Sequence, residues 1–305
     1  MRRSKIKYCL SLANGQEWQF VSTKETEDWL NRLTSIMELT PCKDTKGSKL
    51  IFACGESSQN KINEILLSLD SSFGLDSWKC RDIKFLRFWH SDFIRDVVCE
   101  FKFPYADSSG VIDTMNVWRM YHVMRPIYER VKGYGGVPIH AALVEIHNYG
   151  VLISASGGTG KSTCCTRIQQ PWRAICDDES LVLLDKQSQY MVHPIPTWGS
   201  LLEQDSNSWD VQRAFPLRAI FFLERSEFDE VAPIGQGQAS VLINDAVSWI
   251  WFRSLKNTDR QEKIKLSKEI FDNSCRIARS LPTFMLRASL TGKFWKVMEK
   301  ALETI

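Results

Sequence analysis

The stretch Ile153–Cys165, "ISASGGTGKSTCC", packs glycines, a lysine and several hydroxyl side chains into one short segment. Residues 155–162 fit the phosphate-binding pattern G-x-x-x-x-G-K-[ST], except that alanine replaces the first glycine. The apolar run "GVLIS" before the loop predicts a strand, and a helix is predicted from about Lys161 to Gln169. Because strand, loop and helix follow in the order that the pattern requires, the segment predicts a nucleotide-binding loop rather than a plain glycine-rich turn.

The residue types of this loop indicate a nucleotide and Mg²⁺ as ligands; we expect ATP, although the loop by itself does not distinguish ATP from other nucleotides. Glycines let backbone N–H groups approach phosphate oxygens, and the N-terminus of the following helix adds a favourable dipole. Lys161 is expected to reach the β- and γ-phosphates, and the Ser162 hydroxyl to ligate Mg²⁺. The predicted nucleotide contacts are Ser156, Gly157, Gly158, Thr159, Gly160, Lys161, Ser162 and Thr163.

An acidic run, "DDE" at 177–179, follows sixteen residues after Lys161 and ends a short apolar strand. Phosphoryl transfer needs a metal ligand and a group that orients or deprotonates the nucleophile. Asp177 and Asp178 could divide these tasks, one holding Mg²⁺ and the other accepting a proton. A solvated acidic turn is the alternative, but the phosphate loop nearby favours the functional interpretation.

The sequence lacks motifs that are typical of other classes of nucleotide-binding protein. A switch GTPase would usually carry an N-K-x-D motif, which is absent, and no transporter signature is present. The net charge of +3 is too small to indicate nucleic acid or a membrane surface as partner. The nine cysteines show no C-x-x-C spacing, so we expect reduced thiols in a cytoplasmic protein without a zinc site.

The expected fold class is α/β with a mixed, partly α+β sheet. Residues 1–110 predict a small α+β domain, 111–136 a linking helix around Pro126, and 137–305 a P-loop kinase domain. Within the last of these, "IHAALVEIHNYGVLIS" (139–154) predicts two strands that form a hairpin and not a βαβ unit.

The order of these features resembles the C-terminal catalytic domain of the HPr serine kinase/phosphorylase family, whose core is that of phosphoenolpyruvate carboxykinase. The resemblance covers about residues 137–300 and rests on "IHAALVEIHNYGVLISASGGTGKST" and "RAICDDESLVLLD". It implies a kinase that acts on a serine hydroxyl of a peptide or small protein. By this resemblance Asp177 is the general base, Asp178 supports it or the metal together with Ser162, and His140 lines the site near the reacting phosphate. That family forms hexamers, which leaves a homo-oligomer open.

Three positions depart from that family. Thr163 stands where a glutamate is common, and Gly235 and Gln238 stand where arginines are usual. The reduced positive charge argues against phosphorylase activity, although Arg218 or Arg225 could supply a cation.

The segment "HPIPTWGSLL" (193–202) resembles smaller relatives of this kinase from peptide natural-product cassettes, so a ribosomal peptide precursor is the expected substrate. The N-terminal domain could bind its leader through Trp18, Phe20 and Trp29, although a place in the core is the preferred role for each. Two alternatives stay open: a catalytically weak nucleotide-binding accessory protein, and a P-loop ATPase or small-molecule kinase.

Overall fold

The computed structural model describes residues 7–43, 46–55, 59–103, 114–203, 207–252 and 259–305. The chain forms two compact units, one of residues 1–126 with 198–212 and one of residues 127–197 with 213–305. Each unit contains a mixed sheet with helices, which is consistent with the predicted α/β class. Among the helices of the described residues, none has the length and apolar character needed to cross a membrane.

The first unit is built on a seven-stranded sheet in the order β3-β1-β2-β4-β7-β6-β5. Its strands are β1 Lys7–Ser11, β2 Glu17–Ser22, β3 Thr40–Pro41, β4 Ser48–Cys54, β5 Trp78–Ile83, β6 Leu86–Ser91 and β7 Val97–Phe101. The helices α1 Glu27–Ile36, α2 Gln59–Leu69 and α3 Thr114–Val123 belong to the same unit. Strands β2, β4 and β7 run parallel to one another, whereas β1 pairs antiparallel with β2.

An aromatic core holds this unit together. Trp18, Phe20 and Trp29 are fully buried, and the ring of Trp29 packs 5.2 Å from that of Phe52 and 4.8 Å from that of Phe101. The preferred core role of these three aromatic residues is therefore confirmed, and a leader-binding surface made from them is wrong.

The cysteines differ from the expectation of nine reduced thiols. Cys9 and Cys42 form a disulfide, and the other seven cysteines are free. The reason lies in the sheet: Cys9 of β1 faces Thr40 of β3, and the Cys42 N–H donates a hydrogen bond to the carbonyl of Lys7. This strand pairing brings together two residues whose sequence spacing follows no disulfide motif.

Two helices replace the single linking helix that the sequence predicts over 111–136. Helix α3 ends at Val123, and α4 spans Arg125–Lys132; residues 111–113 of the prediction lie outside the described residues. Pro126 is the second residue of α4, where a missing N–H costs nothing, but proline disfavours helical backbone in the residue before it. Pro126 therefore lies in the first turn of a new helix, which begins one residue earlier at Arg125.

The second unit contains a nine-stranded sheet. Its strands are β8 Val137–Ile139, β9 Ala141–Ile146, β10 Tyr149–Ser154, β11 Arg173–Cys176, β12 Ser180–Leu184, β13 Tyr190–Pro194, β14 Phe215–Arg225, β15 Glu230–Pro233 and β16 Thr283–Ala288. The helices of this unit are α5 Lys161–Arg167, α6 Gln236–Phe252, α7 Arg260–Ser280 and α8 Phe294–Leu302. The antiparallel hairpin β9–β10 is present as the sequence predicts. Its turn was expected at residues 148–150 but lies at His147 and Asn148, which both have positive φ, and Tyr149 already belongs to β10.

The parallel part of this sheet places the candidate site. β10 and β16 both run parallel to β14, so the carboxyl ends of these three strands lie at one edge. The glycine-rich loop follows β10 at that edge, and Arg225 ends β14 there. Open α/β sheets bind ligands outside the carboxyl ends of their strands, so this edge is where a site is expected.

Candidate functional site

The glycine-rich loop, residues 155–160, connects the buried end of β10 to the first turn of α5. Gly158 and Gly160 have φ values of 77° and 123°, a backbone region that favours glycine. A Cβ added to Gly157, Gly158 or Gly160 would meet no heavy atom within 4 Å. The glycines therefore present open backbone surface, as a phosphate cradle requires.

Lys161 lies against this loop and not in solvent. The residue is 7% exposed, and its Nζ donates a hydrogen bond to the Ala155 carbonyl at 3.0 Å. Burial lowers the pKa of Lys161, while the negative charges of Asp178 and Asp177 oppose that shift. The ammonium group is thus placed within the electrostatic reach of both predicted carboxylates.

The two predicted carboxylates follow β11 and each has a specific partner. The Oδ1 atom of Asp177 accepts a 2.6 Å hydrogen bond from the Thr197 hydroxyl. The Oδ1 atom of Asp178 lies 3.2 Å from Nε2 of His140. Glu179, the third residue of the acidic run, is 1% exposed and belongs to the interior. The run is therefore not a solvated acidic turn.

His140 occupies the junction between β8 and β9 and is buried. The backbone N–H of His140 donates a hydrogen bond to the Ala246 carbonyl at 3.2 Å, and its backbone carbonyl accepts one from the Ser154 hydroxyl at 3.1 Å. Its ring stacks on Trp249, with centroids 5.4 Å apart and planes at 18°. Contacts from α6 and from the end of β10 thus fix the imidazole beside Asp178.

The remaining predicted nucleotide contacts lie on the open side of the loop. Ser156, Ser162 and Thr163 are exposed, and Thr159 is half-buried. The carbonyls of Ser162 and Thr163 accept hydrogen bonds from the Thr166 hydroxyl, which leaves their own side chains at the surface of the first turn of α5. Both hydroxyls are accessible to a ligand in the loop.

Only one of the two arginines considered from the sequence reaches the loop. Arg225 donates from Nε to the Thr159 carbonyl at 2.9 Å and from Nη2 to the Gly158 carbonyl. Arg218, near the other end of β14, donates to the carbonyl of Ile305 instead. Arg225 is exposed at the end of β14, and the parallel pairing of β10 with β14 brings its side chain to the loop.

The positions without the expected arginines lie at the start of α6. Gly235 precedes this helix and accepts its first backbone hydrogen bond, from Ala239, at 3.0 Å. Gln238 is exposed on its first turn. Both positions are uncharged, so neither adds a cation to the site.

Sequence reasoning missed the residues that hold the predicted ones in place. Thr197 follows β13, twenty residues after Asp177, and nothing in "HPIPTWG" distinguishes it as a partner of that carboxylate. In the sequence, Trp249 is one of several apolar residues of α6 and nothing singles it out, but in the structure its ring stacks on His140. In both cases the contact joins distant segments, and a local pattern carries no signal for it.

Metal ligands are sparse in this arrangement. Among the described residues, no group of three or more His, Cys, Asp or Glu side chains could hold a metal ion. Ser162 and Asp178, the predicted Mg²⁺ ligands, offer hard oxygen donors. Mg²⁺ commonly takes only one or two protein ligands and completes its coordination with water and substrate phosphates, so two such donors fit it.

The chain is a mixed α/β protein whose sheet edge collects a glycine-rich loop, a buried lysine and paired carboxylates. A family model described as "SynChlorMet cassette protein ScmC" matches residues 97–303, about two thirds of the chain. The chain therefore belongs to the ScmC family, which indicates a role in a peptide-modification cassette. No curated protein matches the chain.

Proposed function

We propose that this protein is an ATP- and Mg²⁺-dependent serine kinase that phosphorylates a hydroxyl of a peptide or small protein. The observation that carries the proposal is the grouping of Lys161, Asp177, Asp178 and His140 beside the glycine-rich loop. Loop, lysine and carboxylates are the parts that phosphoryl transfer requires, because its catalysis consists of positioning and charge stabilisation. The resemblance to the HPr kinase family, from sequence, supports the same activity.

The residues present fit ATP with Mg²⁺. The open glycine backbone suits phosphate oxygens, and Ser162 and Asp178 would supply oxygen donors for the metal. When bound, the nucleotide supplies the transferable phosphoryl group and the metal neutralises its charge. Lys161 holds a further positive charge at the loop, where its Nζ can exchange the Ala155 carbonyl for a phosphate oxygen.

Asp177 is assigned as the general base. Thr197 binds its Oδ1, so we assign Oδ2 to the acceptor hydroxyl, from which it would take the proton. Asp178 is held by His140 and is assigned to the metal side of the site. The two adjacent carboxylates thus have different partners, which is the separation of roles that a base and a metal ligand need.

Membership of a cassette protein family supports a peptide as the substrate. A cassette protein with a kinase site fits a ribosomally made precursor peptide encoded beside its gene. We propose a cytoplasmic location for this ATP-dependent modification; the Cys9–Cys42 disulfide is a kind of bond that is rare in that compartment.

Mass spectrometry of such a precursor peptide incubated with ATP and Mg²⁺ tests the proposal. We expect a mass increase of one phosphate on serine, lost in the Asp177→Asn variant. Phosphate release without peptide would instead support an ATPase.

A second candidate is a nucleotide-binding accessory protein with weak catalysis. Thr163 favours it, because a hydroxyl replaces a carboxylate that the resembling family commonly has near the metal. Nucleotide binding without transfer to the precursor or to any peptide of a serine library would support this candidate and contradict the kinase.

A further inference from the structure

A cavity of about 390 Å³ opens beside the glycine-rich loop, on the side of His140. Residues 154–157 line one part of it, and Leu242, Asp245 and Trp249 of α6 line another. Its volume lies in the range of pockets that bind small molecules or single side chains. Since His140 both lines the cavity and contacts Asp178, the cavity begins one side chain away from the proposed catalytic carboxylates.

The charge of this cavity is negative. Of the residues that the structure describes, its lining includes the carboxylates of Asp245 and Glu224 and neither lysine nor arginine. Glu224 has a cation nearby, since its Oε2 lies 3.5 Å from Nε of Arg287. Asp245 is exposed, and within the described part of the chain no cation pairs with it. The cavity therefore offers a carboxylate that a ligand's positive charge can meet.

The apolar lining is suited to the same kind of ligand. Trp249 is 49% exposed although its ring stacks on His140, so part of the indole is accessible from the cavity. Indole rings attract ammonium and guanidinium groups, and the methylene stems of lysine and arginine pack on apolar surface. Leu242 and Met285 provide that surface. The combination suits a long side chain with a cationic end.

We infer that this cavity is a specificity pocket for a lysine or arginine of the acceptor peptide, with Asp245 as its counter-charge. The inference rests on the proposed kinase function and adds the substrate preference. An extended peptide advances about 3.3 Å per residue, so a pocket one side chain from the carboxylates accepts a residue within about three positions of the phosphorylated serine.

A positional peptide library with a fixed central serine tests the pocket. Each flanking position carries arginine, lysine, alanine or glutamate in turn, and phosphate incorporation with ATP is measured by mass spectrometry. We expect a preference of about 10-fold for arginine or lysine over glutamate at one flanking position, the size of a charge-assisted contact. Asp245→Asn should reduce this selectivity and Asp245→Lys should reverse it. Asp272→Asn, which changes an exposed aspartate of α7 outside the cavity, should leave it unchanged.

The outcomes separate the pocket from the kinase. Equal phosphorylation of the arginine and glutamate peptides overturns the pocket and leaves the kinase function standing. If no peptide is phosphorylated, the kinase function fails. In that case the pocket is tested by binding alone: fluorescence polarisation measures the affinity of labelled peptides that carry alanine in place of serine. Tighter binding of the arginine peptide, lost in Asp245→Lys, supports the pocket, and equal binding of the arginine and glutamate peptides overturns it.

Discussion

Thr197 and Asp177 exchange two hydrogen bonds across twenty residues of sequence. The Thr197 hydroxyl donates to Oδ1 of Asp177 at 2.6 Å, and the Asp177 N–H lies 3.4 Å from the same hydroxyl oxygen. Together these contacts fix both the backbone and the carboxylate of the proposed base. A base held by a third group is the arrangement that positions it toward its substrate proton.

Replacing Thr197 by valine tests this positioning. The variant keeps the shape of the side chain but removes the donor, so kcat for peptide phosphorylation should fall about 10-fold or more, as expected for a hydrogen bond to a charged group. The nucleotide KM should change little, because the hydroxyl is bonded to the proposed base Asp177. Thr197→Ser, which restores the hydroxyl, should recover most of the rate; equal losses in both variants would indicate a packing role instead.

Asp177→Asn should separate binding from chemistry. The amide oxygen can still accept from Thr197, but the residue can no longer take a proton. We expect peptide phosphorylation to fall about 10²- to 10⁴-fold, the usual contribution of a general base. Calorimetry should give a nucleotide affinity equal to that of the unmodified protein. Near-normal transfer by this variant would show that another group acts as the base.

We expect Lys161→Met to weaken nucleotide binding but to stabilise the protein without nucleotide. Loss of the ammonium group should weaken nucleotide binding at least about 10-fold. Burial lowers the pKa of Lys161 below its ordinary 10.5, and a lysine with a lowered pKa in the folded state destabilises that state while it is charged. The variant without nucleotide should therefore be the more stable protein at pH 7.

Urea denaturation at several pH values tests whether the charge of Lys161 destabilises the folded protein. The cost of the charge is fully present below the folded-state pKa and disappears as the pH rises toward 10.5, so the advantage of the methionine variant should shrink over that interval. Lower stability of the variant at pH 7 would mean that attraction to Asp177 and Asp178 outweighs the burial of the ammonium group.

Arg225→Gln should loosen the glycine-rich loop. The variant loses the guanidinium hydrogen bonds to the Gly158 and Thr159 carbonyls. We expect nucleotide affinity to fall about 10-fold, which corresponds to the free energy of about one hydrogen bond from a charged group. Arg218→Gln on the same strand is the matched control, because its side chain bonds to Ile305 and not to the loop. Equal affinities for the two variants would exclude a role of Arg225 in the loop.

The Cys9–Cys42 disulfide predicts a thiol count. Titration of the unfolded protein without reductant should find seven thiols, because two of the nine cysteines are bonded. Replacing Cys9 and Cys42 together by serine should lower the free energy of unfolding by about 2–4 kcal/mol, since the unfolded chain is no longer constrained. Nine titrating thiols, or an unchanged unfolding free energy, would contradict the bond.

Part of this structure was accessible from the sequence because it depends on neighbouring residues. Two nearly continuous apolar runs indicate β9 and β10, and the hairpin follows from their short connection. The acidic pair was placed at a strand end by the apolar run before it. The helix at Lys161 followed from the glycines that precede it. Each of these inferences needs only a few consecutive residues.

The sequence by itself determined the glycine-rich strand–loop–helix segment, the hairpin before it and the identity of the paired aspartates, because periodicity and glycine torsions act locally. Tertiary structure alone decided which side chains support them. Thr197 meets Asp177, Trp249 stacks on His140, and Arg225 reaches Gly158 only because strand pairing and helix packing join segments far apart along the chain. Such contacts depend on the register of the whole sheet, which no short stretch of sequence encodes.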